Sequence, residues 1–517
     1  MHDSRRFLIY IIGLLSFIPV QADIVTDGSL GQIVSLQGEM HILPAYGQQQ
    51  GSNLFHSFTT FQIQAGESAQ FLTSATTQNI IARITGSESS LINGTLSASA
   101  NLYLFNPQGF LFAEQAELDL QGDFHVSTAR QLDFSDNTQY DTDLSQPTIL
   151  TTAAPKAFGF LQPTTPIALQ NSNLIHKQNI SLTASHIQLK NSLIRTQQQG
   201  DLRLTADTMQ FKNSQLSTDM LTQGQGGSIY LTAHDSIQLS NSIISSSLGD
   251  LFHVGEGTGG RIVIETPQLL LQQRSGLQTG TFPNTQGQAG DIIINVGELE
   301  LNGLSSMTSF SSSDALGGNI QIQANDINLN NSLITASSLR QGAAGNLQFN
   351  TKNLTLHQTS ILSTSALQSG GGNISLNIKQ QFLSLKSAIT AKANGNQAAH
   401  NGGNVTIQTP SLTVLDQTEI LASAYAGHGG DIVLQTDYLL TSPNYLLDAS
   451  SQLGVAGKIW VNSFEVDMSK AFHSLSNNYL QAGNLLKQRC AAKFNLDMSS
   501  LTVKNIEILP PMPLGIQ

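Results

Sequence analysis

The feature that most constrains this chain is a short motif that keeps returning. Gly-x-apolar-x-apolar stands at Gly200, Gly227, Gly260, Gly290, Gly318, Gly345, Gly372, Gly403, Gly430 and Gly457. Successive copies lie 27 to 33 residues apart. Alternation of apolar residues with period two marks a strand that buries one face. Within one repeat, Gly318 to Ser338, three such alternations follow one another (NIQIQA, INLNN and SLITASS). They are separated by Asn, Asp, Gly or Ser rather than by helical sequence. A propeller blade needs about 40 residues and four strands, so this unit is too short for one. It suffices for one turn of a stacked coil. The spacing therefore predicts an all-β chain folded as a right-handed parallel β-helix, a single-stranded β-solenoid, with rungs about 4.8 Å apart.

Composition agrees with stacking. Charged residues make up 11% of the chain and aromatics 6%, while glycine reaches 44 residues. Disorder would pair low hydrophobicity with high charge, whereas here Ile, Leu and Val recur at period two throughout. In a coil, equivalent residues sit one strand spacing apart, and two like charges at that distance repel by about 1 kcal/mol even in water. Amide and hydroxyl columns can instead hydrogen-bond along the stack. Asn followed by Ser recurs at Asn171, Asn191, Asn213, Asn241 and Asn331. Asparagine tolerates the left-handed backbone of a sharp turn, so these five are expected to be structural, forming an asparagine ladder.

At the N-terminus, Arg5 and Arg6 precede the apolar run Phe7 to Ile18, and Val20-Gln21-Ala22 follows. This is the pattern of a secretory signal peptide over residues 1–22, with cleavage expected after Ala22. The run is short for a membrane span, which takes about 20 residues. No later segment is long and apolar enough, so no transmembrane segment is expected in the mature chain. A single cysteine, Cys490, cannot build an internal disulfide framework. The net charge of −12, without a long basic run, argues against a nucleic-acid partner.

Parallel β-helices host polysaccharide lyases and hydrolases, which need carboxylates gathered on one face or paired across a glycosidic bond. Asp201, Asp291 and Asp431 follow rung glycines where Asn or Ser stands in other rungs, and turn chemistry accounts for them. The 12 histidines are scattered, and His125, His400 and His428 lack metal-ligand spacing. The run Gly255 to Gly260 lacks the Lys and Ser/Thr of a phosphate loop. No Gly-x-Ser-x-Gly elbow lies between a strand and a helix. The expectation is a chain that is not an enzyme, with no catalytic residue, cofactor or metal. A secreted β-helical carbohydrate-active enzyme is the competing reading.

One turn stands out. In NLYLFNPQGFLF, Leu102 and Leu104 on one side and Phe110 and Phe112 on the other flank Asn106-Pro107-Gln108-Gly109. Asn suits the first turn position, Pro presets the second and Gly suits the fourth. Together with Phe55, Phe58, Phe61, Arg83, Gly86 and the run Ile92 to Leu96, this motif makes residues 23–165 closely resemble the filamentous haemagglutinin N-terminal two-partner secretion domain. That family usually has Asn-Pro-Asn-Gly-Ile at the turn, so Gln108 and Phe110 depart from it, and its second motif, Asn-Pro-Asn-Leu, is not found. The tail from Cys490 to Pro513 is similar to the end of short members of the family.

The resemblance implies a haemagglutinin- or adhesin-like exoprotein of a Gram-negative bacterium. It would cross the periplasm, engage the POTRA domains of a dedicated outer-membrane β-barrel transporter and end up secreted or on the cell surface. Asn106, Pro107, Gln108 and Gly109 would then be a secretion motif, and the eventual partners would be host-cell or bacterial surface receptors or glycans. A contact-dependent toxin carrier is disfavoured, because little chain follows Trp460. The expected organisation is a signal peptide at 1–22, a secretion domain at 23–165 capping the solenoid, β-helix repeats at 166–462 and a C-terminal segment at 463–517. That last segment is expected to be partly helical near Leu475 to Lys487, with a Pro-rich end.

Overall fold

The computed structural model describes residues 24–161, 165–197, 199–220, 223–249 and 255–467. The expected signal peptide, Cys490 and the C-terminal segment expected to be partly helical with a Pro-rich end fall outside the described residues.

The apolar alternation turns into vertical columns. Leu54, Ile80, Leu102, Phe124, Ile180, Leu202, Ile229 and Ile262 stack in parallel register. The column continues through Ile292, Ile320, Leu347, Ile374, Val405, Ile432 and Ile459. From Leu54 to Ile432 each member is fully buried, and burying such a side chain contributes about 1.5–3 kcal/mol. Residues 24–467 form one compact unit, a parallel β-helix whose apolar interior runs through successive coils.

Apolar spacing divides each repeat into three short strands. In most rungs the first two alternations form a single bent strand instead, as in Leu202–Lys212, Ile262–Gln272 and Ile292–Asn302. Elsewhere they stay separate, as Ile180–Thr183 and His186–Lys190, and again as Ile320–Gln323 and Asp326–Asn330. A left-handed corner then leads into the second wall, an 11-stranded parallel sheet from Asn173–His176 to Leu446–Asp448. The third side is made of short pairings, including the stacked segments Gln223–Gln225, Glu256–Thr258 and Gln286–Gln288. Stacking passes unbroken through residues 165–166: Phe110–Phe112 pairs with Ser90–Ile92 on one side and with Ile167–Leu169 on the other.

The rung glycines exist because backbone lies on backbone. A Cβ on Gly260 would sit 1.8 Å from the Gly227 carbonyl oxygen, and one on Gly290 would sit 1.8 Å from that of Gly260. The same collision repeats up to Gly457, so only glycine permits this column.

The N-terminal part adds antiparallel pieces. Ile24–Thr26 pairs antiparallel with Ser35–Leu36 and with Asn53–Phe61. Ala129–Phe134 pairs antiparallel with Gln139–Asp141 and Pro155–Leu161. This insertion helps to enclose a second core of Leu30, Phe55, Ile81, Phe105, Leu132, Phe134 and Tyr140. The wall strand Asn79–Ile84 is consequently buried on both faces.

Candidate functional site

The turn at Asn106 joins Asn101–Phe105, which lies between Asn79–Ile84 and Phe124–Ser127, to Phe110–Phe112. Its backbone closes with the Gly109 N–H donating to the Asn106 carbonyl at 3.0 Å. The Asn106 side chain is fully buried and fully engaged. Its Oδ1 accepts from the Gln108 N–H at 2.9 Å, and its Nδ2 donates to the Glu88 carbonyl at 2.9 Å and to Ser90 Oγ at 3.0 Å. Gly109 has φ of 101°, and a Cβ there would meet the Pro166 carbonyl oxygen at 2.7 Å. Pro107 is buried as well, and of the four residues Gln108 alone is exposed. In the folded protein, then, a partner meets at most the Gln108 side chain. The other three determinants are spent on local structure.

Near the turn lies a buried polar network that periodicity could not disclose. Arg83 is 1% exposed. Its guanidinium donates to Ser57 Oγ at 2.7 Å, Ser29 Oγ at 3.1 Å and Thr148 Oγ1 at 3.2 Å, and also to the Asp141 carbonyl. It lies 4.3 Å from the centre of the Tyr140 ring, whose hydroxyl donates to the His56 carbonyl at 2.9 Å. Asp27 accepts from Ser57 Oγ and from Thr85 Oγ1. Burial pushes the Asp27 carboxyl up, but hydrogen bonds from Ser57, Ser29 and Thr85 outweigh it and hold the group below the usual carboxylate range. One arginine thus ties the first coil, the N-terminal strand and the antiparallel insertion together.

Two histidines are held neutral here. His56 packs against Phe58 and Phe71, and neither ring nitrogen has a hydrogen-bond partner. Burial lowers its pKa to about 3. His125 stacks on Tyr103 at 4.3 Å, and burial lowers its pKa to about 4 against the opposing pull of Asp123.

The five expected ladder asparagines all adopt φ between 48° and 53°. Four of them stack: Asn191 donates to Asn171 at 3.1 Å, Asn213 to Asn191 at 3.0 Å and Asn241 to Asn213 at 3.0 Å. Asn331 stands at the same corner but outside the ladder, because Leu304 and Thr359 occupy the adjoining rungs. The serine after each asparagine has its own function. The N–H of Ser172 donates to Ser192 Oγ, that of Ser192 to Ser214 Oγ and that of Ser214 to Ser242 Oγ, at 3.1–3.2 Å.

A further column went unread in the sequence: the residue after most rung glycines caps the next rung, with a break at Arg261, whose side chain has no acceptor. Asp201 Oδ1 accepts the Ser228 N–H at 2.8 Å, and Asp291 Oδ1 accepts that of Asn319 at 2.8 Å. The chain of caps runs on through Asn319, Asn346, Asn373 and Asn404 to Asp431, whose Oδ1 accepts the Lys458 N–H at 2.7 Å. It begins earlier, where Asn101 caps Asp123 and Asn179 caps Asp201. The sequence signal was present in the repeated Gly-Asp and Gly-Asn pairs. Among the described residues, no three His, Cys, Asp or Glu side chains gather where they could hold a metal. No described helix is long and apolar enough to cross a membrane.

Residues 22–264 match the family model of the TPS secretion domain, which extends beyond residue 165 into the regular coils. A solved structure, the HMW1 secretion domain from Haemophilus influenzae, aligns at 13% identity and a TM-score of 0.36, covering 86% of this chain and 98% of that one. A search of curated proteins found no match.

Proposed function

We propose, from the match of residues 22–264 to the family model of the TPS secretion domain, that this chain is a two-partner-secreted exoprotein with an outer-membrane transporter as its partner, and that it acts as a non-catalytic adhesin. In this reading the chain passes POTRA domains of a cognate barrel before it coils. It then works outside the cell or on its surface, attaching to host cells, matrix or neighbouring bacteria. Fold alone does not assign a function. What supports adhesion is the long, weakly charged outer wall that the secretion domain continues into without a break.

The burial of Asn106 and Pro107 carries the proposal about transport. Residues hidden in the folded coil are open to a transporter only while the chain is unfolded or the turn is forming. Export in cells carrying the cognate transporter tests this. Asn106→Ala is expected to cut the amount in the medium several-fold, whereas Gln108→Ala is expected to leave it near the wild-type level. Wild-type secretion of Asn106→Ala would remove the motif from the mechanism. For adhesion, purified protein is expected to coat host cells or bacteria saturably, and absence of attachment across such a panel would overturn that part.

A further inference from the structure

The outer face of the bent strands carries one more ordered column. Register places Asn295, Gln323, Asn350, Asn377, Gln408, Gln435 and Asn462 directly above one another. Every member is an amide, although nothing inside the coil requires it. In the corner ladder each asparagine bonds the next, but here the one rung-to-rung amide bond is Asn377 to Asn350, at 3.3 Å. Among the described residues, the side chains of Asn295, Gln323, Gln408, Gln435 and Asn462 make no hydrogen bond to protein. Their donors and acceptors face outward.

The lower end of this column floors a channel. A hollow of about 660 Å³ is lined by Thr232, His234, Glu265, Pro267, Asn295 and Gln323. A second, of about 90 Å³, is lined in part by Gln321, Gln348 and Asn350, and shares Asn295 and Gln323 with the first. The two lie side by side, with Asn295 and Gln323 in the wall of each.

We propose that this channel binds a neutral glycan chain, extended along the coil axis. An amide offers two donors and an acceptor on one planar group, which suits hydroxyls that both donate and accept. The column bears no charge, so it offers no ion pair to sulfate, phosphate or carboxylate. One amide recurs about every 4.8 Å, which presents a regular polymer with the same contact at each step, so that weak contacts add through multivalency. Beside the column, in the neighbouring outward register, the exposed Trp460 offers an apolar ring face at its upper end. A second copy of the chain would also match amide for amide, but two identical hollows do not interlock.

The proposal deepens the adhesin reading by naming a ligand class, and its test does not depend on cells. Purified full-length protein is titrated calorimetrically with cellohexaose, xylohexaose and mannohexaose, and with hexagalacturonate as the charged counterpart. At least one neutral hexasaccharide is expected to bind saturably and about tenfold or more tighter than hexagalacturonate, a difference of about 1.4 kcal/mol. That affinity should hold from about 0.1 to about 1 M salt, because no screened ion pair is involved. The triple variant Asn295→Ala, Gln323→Ala, Asn350→Ala should lose about tenfold in affinity while keeping the circular dichroism of the parent. If that variant misfolds, hydroxyl-radical footprinting of the wild-type protein should show the saccharide protecting His234 and Pro267. The proposal is overturned if no neutral hexasaccharide binds at millimolar concentration. It is equally overturned if the folded triple variant binds as well as the parent, if protection falls elsewhere, or if the variant changes only self-association. Attachment to cells without glycan binding would remove the channel and leave adhesion standing.

Discussion

Asn106 has every polar atom of its side chain committed within the protein, and that sets what its removal should cost. Asn106→Ala leaves the Glu88 carbonyl and the Gln108 N–H without their buried partner, so a loss of about 2–3 kcal/mol is expected. Gln108→Ala, at an exposed position, should stay within about 0.5 kcal/mol; urea midpoints of both variants check the pair. His56 makes the same domain acid-sensitive. Its pKa is about 3 in the fold against the ordinary 6.5 of a solvated histidine, so the unfolded chain takes up the proton first. Its contribution is whole above pH 6.5 and is lost progressively as pH falls toward 3. At one pH unit below the unfolded pKa the loss is about 1.4 kcal/mol. His56→Leu should flatten stability against pH over that window, and an unchanged slope would assign the acid response elsewhere. The turn was legible in the sequence because its chemistry is local. The Arg83 network was not, since its partners lie 26 to 65 residues away in segments with no repeat.

At the scale of the element, a corner or a strand junction is stabilised by what the neighbouring rung supplies. Asn213 gives one amide bond and receives another, and it holds φ at 50°. Asn213→Ala is expected to lose about 2 kcal/mol, while Asn213→Gly should recover the backbone part and keep only the hydrogen-bond loss. Gly290→Ala should cost about 3 kcal/mol or more, because the added carbon meets the Gly260 carbonyl rather than a yielding side chain. Thermal or urea unfolding of these variants provides the check. The glycine period and the asparagine corners were readable because identical demands return every rung. Which asparagines touch was not, because contact depends on what stands in the rungs between: Gln273, Arg274, Gly303 and Leu304 separate Asn241 from Asn331. Likewise, period two located two alternations per rung without telling that the backbone bends between them rather than breaks.

Across the whole described coil, each rung depends mainly on its immediate neighbours, as in other solenoids. Removing one complete repeat, Gly345 to Gly371, would set Asn319 beneath Asn373 and restore the cap with the same residue type. Such a deletion is expected to fold, to be exported like the parent and to shorten the coil by about 4.8 Å, which electron microscopy and secretion assays would measure. Loss of the coil would show that distant rungs depend on one another. Repetition is also what made this architecture readable from residue spacing, while the antiparallel insertion over the second core, occurring once, left no period to find.

The caps that follow the rung glycines have a sense of direction. In each linked pair the acceptor belongs to the residue nearer the N-terminus and the donor to the coil after it. A chain delivered amino end first therefore offers each turn linked in this way a waiting oxygen. Such a column is receptive only at its growing tip. Its last described donor, Lys458, carries a side chain with no acceptor to pass the relay on.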